Sequence, residues 1–195
     1  MPIKTLIPFR LENTKSSLFP HLSLSERRRL SQIMLDEVIR TISDLTDVFI
    51  VSPDLKRYNG NAKIIKSPKK LNPSLNFAID KLKLPVLILP SDIPFIEKKD
   101  IKKVLKKDKD VILCPGNRGG TNALFLRKKI DLNYDNNSFN NHLKDIKEKD
   151  YSYTILDNER IRFDIDELSD LKKAKSLANG KLESFLKNKV GEEIK

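Results

Sequence analysis

Apolar and polar positions along this chain form two recurring patterns, short apolar runs and longer stretches with helical spacing. Residues 3–9 are mostly apolar and predict a buried strand, which the polar residues 10–21 follow as a long loop. Ser23 stands three residues before Glu26, a spacing typical of a helix N-terminus. Apolar residues then recur at helical spacing, at Leu30, Ile33, Met34, Val38 and Ile42. The pattern predicts a helix that covers the first strand.

The rest of the chain repeats this alternation. The predicted strands cover residues 47–51, 63–66, 84–89, 111–114, 122–126 and 153–156, and the predicted helices cover residues 73–83, 97–107 and 139–147. Two more helices are predicted near the C-terminal end, with Gly180 between them. Residues 84–89 are apolar at nearly every position, as expected of a central strand that is buried on both faces.

Alternating strands and helices predict an α/β fold, a three-layer sandwich around a mostly parallel mixed sheet. The 195 residues are 38% hydrophobic, which is enough for one sizeable core, and we expect a single domain over residues 1–195. Sheets of this kind bind ligands outside the carboxyl ends of their strands. Functional residues are therefore expected where predicted strands end.

The composition narrows the possible partners. The formal net charge is +11, and a basic surface attracts nucleic acid, membranes or small polyanions. The lysines are interspersed with acidic residues, which favours a solvated surface, and we do not expect nucleic acid as a partner. Residues 84–90, the longest apolar run, are too short to span a bilayer, so we expect a cytoplasmic protein without a membrane partner. Cys114 is the single cysteine, and we expect it to be a small core residue.

Three aspartates stand in loops that follow or lie between predicted elements. Asp92 comes just after the most apolar strand, and Asp164 and Asp166 are two residues apart in a later loop. Two carboxylates at this spacing can meet at one ligand if the loop that carries them bends to suit. Clustered carboxylates suit hard divalent cations that hold phosphates. The alternative is that Asp92 or Asp166 only caps a helix, which for Asp166 would begin at Glu167.

The most distinctive segment surrounds Gly119 and Gly120. These two glycines allow close approach of the backbone to a ligand, and the neighbouring Thr121 and Asn122 offer hydrogen-bond donors. Arg118 adds a planar guanidinium that can bind an anion through two hydrogen-bond donors. The alternative is a hairpin-like turn between two strands.

Lys15 lies in the loop after the first predicted strand, where its ammonium group could reach a triphosphate. The alternative is an exposed lysine without a role. The two histidines, His21 and His142, stand outside the segments singled out above. Lysine, acidic loop and glycine segment together indicate a site that handles phosphates.

Eight segments carry a resemblance to a known family, in its order and over roughly residues 3–171. They are Ile7-Pro8-Phe9-Arg10 with Lys15, Leu24-Ser25-Glu26-Arg27-Arg28, Met34-Leu35-Asp36, Leu75-Asn76 with Ala78, Leu89-Pro90-Ser91-Asp92-Ile93-Pro94, Gly119-Gly120-Thr121-Asn122-Ala123-Leu124, Asn137-Ser138-Phe139 and Phe163-Asp164-Ile165-Asp166. Together they resemble the 2-phospho-L-lactate guanylyltransferase family of coenzyme F-420 biosynthesis.

The resemblance implies an enzyme with a nucleotide-diphospho-sugar-transferase-like fold. The implied reaction joins GMP from GTP to 2-phospho-L-lactate, giving lactyl-2-diphospho-5'-guanosine and pyrophosphate. Lys15, with the GTP phosphates, and Asp92 are the implied catalytic residues, and Asp92, Asp164 and Asp166 are implied to hold Mg²⁺. The implied ligand-binding residues are Asn76 near the nucleoside, and Gly119, Gly120, Thr121, Asn122 and Ser138, of which Thr121 and the loop 135–138 contact the phosphorylated acid.

Two positions depart from the family pattern. Ser17 stands where the family usually has an arginine, two residues after the loop lysine, and Arg10 is a candidate to replace that charge. Residues 134–137, Tyr-Asp-Asn-Asn, replace a turn that contains glycine. Since asparagine and aspartate tolerate left-handed backbone, we expect this turn to be kept.

The predicted mechanism is an in-line attack by a phosphate oxygen of the acceptor on the α-phosphorus of GTP, which needs no general base. Phosphoenolpyruvate or 3-phosphoglycerate could replace phospholactate as the acceptor. Alternative functions are another nucleotidyltransferase of this fold, a basic nucleic-acid-binding protein and a catalytically silent nucleotide sensor. Possible interactions are a homodimer and a transfer of the product to the next enzyme of the pathway.

Overall fold

Residues 2–12, 14–68 and 70–190 are described by the structure, a computed structural model. Its strands are β1 (Lys4–Pro8), β2 (Asp47–Ser52), β3 (Lys63–Lys66), β4 (Val86–Ile88), β5 (Val111–Pro115), β6 (Thr121–Leu126) and β7 (Tyr153–Ile155). Its helices are α1 (Leu24–Ile42), α2 (Leu71–Leu82), α3 (Lys98–Leu105), α4 (Ser138–Glu148), α5 (Glu159–Arg162), α6 (Leu168–Leu177) and α7 (Gly180–Val190).

The seven strands form one mixed sheet in the order β3-β2-β1-β4-β6-β5-β7. Neighbouring strands are parallel except at β6, which runs antiparallel to both β4 and β5. The first residue of β6, Thr121, therefore lies at the sheet edge where β1, β4 and β5 end, the same edge that Asp92 follows. The predicted α/β fold with a mostly parallel sheet is confirmed.

Helices cover both faces of the sheet. Leu6 and Ile7 are fully buried and belong to different hydrophobic clusters, because successive side chains of a strand point to opposite faces. The cluster around Ile7 includes residues of α1 and α3, and the cluster around Leu6 includes residues of α2 and α4. Each fully buried aliphatic side chain contributes about 1.5–3 kcal/mol, so the two layers hold the central strands in place.

The first helix begins as its sequence predicts. The Ser23 hydroxyl accepts a hydrogen bond from the Glu26 amide at 3.4 Å, and the Glu26 carboxylate accepts one from the Ser23 amide at 2.8 Å. This reciprocal cap contributes about 1 kcal/mol, and it fixes where α1 leaves the long loop that holds Lys15.

A third hydrophobic cluster lies beside the sandwich, where α6 and α7 contribute to a core shared with α1. It includes Leu30 of α1, Leu171 of α6 and Phe185 of α7, all buried. The predicted pair of terminal helices is confirmed, but Gly180, with a φ of 56°, opens α7 rather than ending α6.

Several boundaries differ from the sequence prediction. Helix α2 begins two residues before the predicted start, and the single-turn helix α5, capped by the Asn158 side chain, was not predicted. Cys114 is buried in β5, as expected, and burial is the main cause that raises the pKa of its thiol to about 12. Within residues 2–12, 14–68 and 70–190, no helix is both long enough and apolar enough to cross a membrane.

Candidate active site

A cleft of about 780 Å³ opens at the edge of the sheet where β1, β2 and β4 end. The loops after these strands line it together with the first turn of α2 and the loop that holds Lys15. This volume lies within the range of small-molecule sites in proteins, about 300–1,000 Å³. Lys15, Asp92 and Asp166 line the cleft, as do Asn72 and Asp135.

Lys15 joins two of the carboxylates that line the cleft. Its Nζ lies 2.6 Å from Asp92 Oδ2 and 2.5 Å from Asp166 Oδ1, and its side chain is only 8% exposed. Burial alone would lower the pKa of Lys15, but the two carboxylates outweigh burial and raise it. The lysine is therefore a buried cation, and the alternative of an exposed lysine without partners is wrong.

The backbone around Lys15 is held in an unusual conformation. Lys15 has φ 48° and ψ 47°, in the left-handed region, and the single 3-10 turn Ser16–Leu18 follows it. The fully buried Leu18 side chain anchors this turn. Left-handed backbone costs a residue with a side chain about 1–2 kcal/mol, so the anchor and the two ion pairs must offset that cost.

The acidic loop bends in the way that two converging carboxylates require. Ile165, between Asp164 and Asp166, is fully buried, and its amide donates a hydrogen bond of 3.0 Å to the Asp92 carbonyl oxygen. Both flanking carboxylates then lie near one guanidinium nitrogen, Arg118 Nη1, at 3.4 Å and 3.9 Å. We call Lys15, Asp92, Asp164 and Asp166 the acidic side of the site.

Asp164 is the carboxylate of the acidic side whose pKa is raised. Burial first, and the negative charges of Asp92 and Asp166 second, raise its pKa from 3.8 to about 6. Arg118 acts in the opposite direction but does not restore the ordinary value. The two cations of the site therefore leave an excess of negative charge, which a further cation would relieve.

Arg118 connects the glycine segment to the acidic loop through a buried partner, Asp170. Arg118 Nη2 lies 2.6 Å from Asp170 Oδ2, and that same oxygen accepts hydrogen bonds from the backbone amides of Asp166 and Glu167 at 3.0 Å and 2.9 Å. Glu167 is the N-cap of α6, so Asp166 itself is not the cap. The spacing of Glu167 and Asp170 resembles a capping box, and that signal could have identified Asp170 from the sequence.

The acidic side has the donor type of a magnesium site but not its assembled geometry. Among residues 2–12, 14–68 and 70–190, no group of three or more His, Cys, Asp or Glu side chains is placed to hold a metal ion. Asp92 and Asp166 already share one cation, the ammonium of Lys15. Carboxylate oxygens are the ligands that Mg²⁺ prefers, so the donors fit the predicted ion, and its assignment stays a prediction.

The glycine segment is a tight hairpin connection between the antiparallel strands β5 and β6, so the hairpin interpretation of this segment is correct. Gly119 has a φ of 77°, whereas Gly120 has ordinary backbone. Among the described glycines, Gly116 has the least room, since a Cβ there would lie 2.3 Å from Asn122 Oδ1. Asn122 is buried and donates to the carbonyl oxygens of Ile161 and Arg162, which ties this hairpin to α5.

Two buried hydroxyls lie at the start of β6 and of α4. The Thr121 amide donates to Ser138 Oγ at 2.9 Å, and Thr121 Oγ1 lies 3.0 Å from Nδ1 of His142. Ser138 and His142 are four residues apart on α4, which places both on the face toward Thr121. We call Thr121, Ser138 and His142 the hydroxyl side of the site. His142 was not predicted as a site residue.

Other predicted site residues differ in their relation to the cleft. Thr121, Asn122 and Ser138 are buried and are not among the described residues that line it. Helix α2 contributes its first turn to the lining, including Asn72, whereas Asn76 stands one turn later and is not among the lining residues. Asn72, whose Oδ1 accepts from the Tyr134 amide at 2.9 Å, was not predicted from the sequence.

The two departures from the family pattern have local structural consequences. Ser17 donates a hydrogen bond of 2.5 Å to the backbone oxygen of Asp166, so this position supports the acidic loop without adding charge. Arg10 lines the cleft and could supply that charge. Asn137 has φ 61° and ψ 43°, and it is the N-cap of α4. The left-handed turn expected there without glycine is confirmed.

Left-handed backbone is concentrated at this site. Among the described residues, five that are not glycine have positive φ, and three of them, Lys15, Arg118 and Asn137, belong to the loops described above. Such conformations persist where the surrounding contacts over-determine them, and they cluster at functional sites.

Comparisons with known proteins find matches that cover most of the chain. Residues 3–192 match the family model described as Guanylyl transferase CofC like. The 2-phospho-L-lactate guanylyltransferase of Methanocella arvoryzae is 33% identical over 172 residues, which cover 87% of this chain and 78% of that protein. That of Methanosarcina mazei is 31% identical and covers 99% of this chain and 96% of that protein.

Among solved structures, a candidate nucleotide-diphospho-sugar transferase from Desulfovibrio desulfuricans G20 superposes with a TM-score of 0.78 at 14% sequence identity. The superposition covers 96% of this chain and 95% of that one. At this identity the match establishes the fold alone.

Proposed function

The chain belongs to the CofC-like guanylyl transferases, and from this membership we propose that it joins GMP from GTP to 2-phospho-L-lactate, releasing pyrophosphate. The observation that carries the proposal is the buried lysine between two carboxylates in a cleft of about 780 Å³. Lys15 contacts Asp92 and Asp166, and all three line that cleft.

We assign the acidic side to the triphosphate and its metal. Asp92, Asp164 and Asp166 are the residues assigned to hold Mg²⁺. Burial first, and the charges of Asp92 and Asp166 second, raise the pKa of Asp164 to about 6, and a bound cation would offset both effects. Mg²⁺, when bound, neutralises charge on phosphate oxygens. Lys15 contributes a second positive charge that stays protonated at neutral pH, since its pKa is raised.

The reaction step in this proposal needs no general base. A phosphate oxygen of 2-phospho-L-lactate, already ionised at neutral pH, attacks the α-phosphorus of GTP, and the bond from that phosphorus to the β-phosphate oxygen breaks. The products are a diphosphate that links lactate to guanosine, and pyrophosphate. The protein contributes positioning and charge neutralisation, with Lys15 beside the phosphates and Arg118 holding the acidic loop in place.

We assign the hydroxyl side to the phosphorylated acid. Thr121 lies at the same sheet edge as Asp92 because β6 runs antiparallel to β4, and Ser138 is the first residue of α4. A helix N-terminus carries partial positive charge and free amides, which favour an anionic ligand. The acid and the triphosphate then approach each other along one edge of the sheet.

The experiment that tests this function measures pyrophosphate release from GTP and Mg²⁺ with 2-phospho-L-lactate, phosphoenolpyruvate and 3-phosphoglycerate in separate reactions. ATP and CTP serve as nucleotide controls. We expect release with GTP and 2-phospho-L-lactate. Preference for another acid would correct the acceptor, and silence with all three acids from folded protein would refute the proposal.

A further inference from the structure

His142 is a buried histidine whose two ring nitrogens both have partners. It is fully buried on α4, its Nε2 lies 3.1 Å from the backbone nitrogen of Asn133, and its Nδ1 lies 3.0 Å from Thr121 Oγ1. The Tyr134 ring packs edge-on against it, with ring centroids 4.8 Å apart. These contacts fix both the position and the orientation of the imidazole.

The Asn133 contact determines which nitrogen carries the proton. A backbone amide can only donate, so Nε2 of His142 must accept and is unprotonated. Burial lowers the pKa of His142 to about 4, against the smaller raising effect of Asp145, so the ring is neutral at pH 7. A neutral imidazole with a bare Nε2 carries its proton on Nδ1, and Nδ1 therefore donates to Thr121 Oγ1.

This assignment fixes the polarity of both buried hydroxyls. Thr121 Oγ1 accepts from His142, so its own proton is not used in that bond. Ser138 Oγ accepts from the Thr121 amide, so its proton is also available. Within the described part of the chain, neither hydroxyl has another partner. Both protons are therefore free for a ligand oxygen that reaches this buried pair.

The histidine is connected to the cleft through a short stretch of backbone. Asn133, which His142 anchors, is followed by Tyr134, whose amide donates to Asn72 Oδ1 at 2.9 Å. Asn72 and the next residue of that stretch, Asp135, both line the cleft, and Asn72 Nδ2 lies 3.3 Å from Asp135 Oδ2. His142 thus fixes one end of a segment whose other end is part of the cleft wall.

We propose that His142 is a positioning residue that holds the Thr121 hydroxyl as a hydrogen-bond donor toward the phosphorylated acid. The proposal rests on the function given above and adds a basis for acceptor recognition. Two hydroxyls whose protons are both free favour a ligand rich in acceptor oxygens, such as a phosphate or a carboxylate. His142 itself does not contact the reacting atoms.

Two substitutions separate the two bonds of His142. His142→Asn keeps an amide donor near the position of Nδ1, toward Thr121, and leaves the Asn133 amide without its acceptor. His142→Gln keeps an acceptor near the position of Nε2, toward Asn133, and loses the donor to Thr121. If the donor to Thr121 matters, the Gln variant is the functionally impaired one and the Asn variant the less stable one.

We expect His142→Gln to raise the KM for 2-phospho-L-lactate roughly tenfold, with the KM for GTP within about twofold of wild type. His142→Asn should keep the acid KM within about threefold of wild type while it lowers the melting temperature more than His142→Gln does. A purely structural histidine would impair both substrates together, in proportion to lost stability. That pattern would overturn the proposal.

A double-mutant cycle with Thr121→Val tests the route of the effect. If His142 acts through the Thr121 hydroxyl, His142→Gln changes the acid KM no further in the Thr121→Val background. Effects that multiply instead would contradict the proposal, because they would show that His142 acts independently of Thr121.

The tautomer can be measured without turnover. Long-range proton–nitrogen NMR correlations of the wild-type imidazole should identify Nδ1 as the protonated nitrogen, and protonated Nε2 would overturn the inference. If no acid supports pyrophosphate release, the proposed function fails while this spectrum still tests the histidine. If turnover is normal but the variants show no KM difference, the histidine proposal fails alone.

Discussion

The acidic side and the hydroxyl side occupy the same edge of the sheet but are built by opposite means. The acidic side consists of charged groups held by ion pairs, and two of its members, Asp92 and Asp166, have side chains 21% and 42% exposed. The hydroxyl side consists of neutral groups that are buried and fixed by directional hydrogen bonds. An incoming ion or phosphate can replace the ion-pair partners of the acidic side. The hydrogen bonds of the hydroxyl side are in place before a ligand binds.

The largest expected effect is that of a substitution at Asp92, on the acidic side. Asp92→Asn removes a proposed metal ligand and one partner of Lys15, and we expect kcat/KM to fall at least about a thousandfold, equivalent to about 4 kcal/mol. Asp80→Asn, which breaks an exposed ion pair with Lys129, is the matched control and should retain normal activity. Near-normal turnover in Asp92→Asn would refute the metal assignment.

Lys15→Met removes the cation at the centre of the acidic side. We expect kcat/KM for GTP to fall about a hundredfold, since one positive charge beside the phosphates is lost. Without the lysine, Asp92 and Asp166 are left without a shared counter-ion, and we expect Mn²⁺ to bind the nucleotide-free variant more tightly than the wild type. Unchanged Mn²⁺ affinity, measured by calorimetry, would show that lysine and metal do not compete for these carboxylates.

The raised pKa of Asp164 means that its ionised carboxylate lowers the free energy of unfolding at neutral pH. Because the folded state binds the Asp164 proton more tightly than the unfolded state, this group favours folding below about pH 4, and its contribution is lost as the pH rises through about 6. Asp164→Asn cannot ionise, so at pH 7 we expect it to be more stable than the wild type by about 2 kcal/mol.

Urea unfolding of both proteins between pH 4 and pH 8 measures this difference. It should shrink toward zero near pH 4, while turnover of the Asn variant is lost at every pH. A constant difference across the range would mean that Asp164 has an ordinary pKa.

A substitution on the hydroxyl side should lower the stability of the protein, in contrast to Asp164→Asn. Ser138→Ala leaves the buried Thr121 amide without an acceptor, and we expect a loss of about 1.5 kcal/mol in the free energy of unfolding. Because no charge changes, that loss should be the same at low and high salt, whereas the effect of Asp164→Asn should vary with ionic strength. A salt-dependent cost in Ser138→Ala would remove the distinction between the two sides.

Local patterns in the sequence were sufficient to locate the strands and most of the helices. The apolar runs predicted each of the seven strands, and the reciprocal cap of Ser23 and Glu26 marked the start of α1 correctly. Strand direction was not available from periodicity. The reversal of β6, which brings Thr121 to the edge near Asp92, depends on the long-range pairing of β6 with β4 and β5.

The site was predictable where its residues belong to contiguous motifs. Lys15, Asp92 and Asp166 were identified in this way, and all three line the cleft. Asp170 and His142 were not, because their roles come from contacts with residues 52 and 21 positions away in the chain, respectively. The contact of His142 leaves no spacing signal. Asp170 stands at capping-box spacing from Glu167, which marks its role as a cap but not its ion pair with Arg118.

The most direct test of the central claim follows the α-phosphorus of GTP. In separate reactions with Mg²⁺ and 2-phospho-L-lactate, GTP carries ³²P at either the α or the γ position. The account predicts that the α label appears in a product that contains both lactate and guanosine, and that the γ label appears in pyrophosphate. Transfer of the γ label to the acid, or retention of the α label in GTP by folded protein, would contradict it.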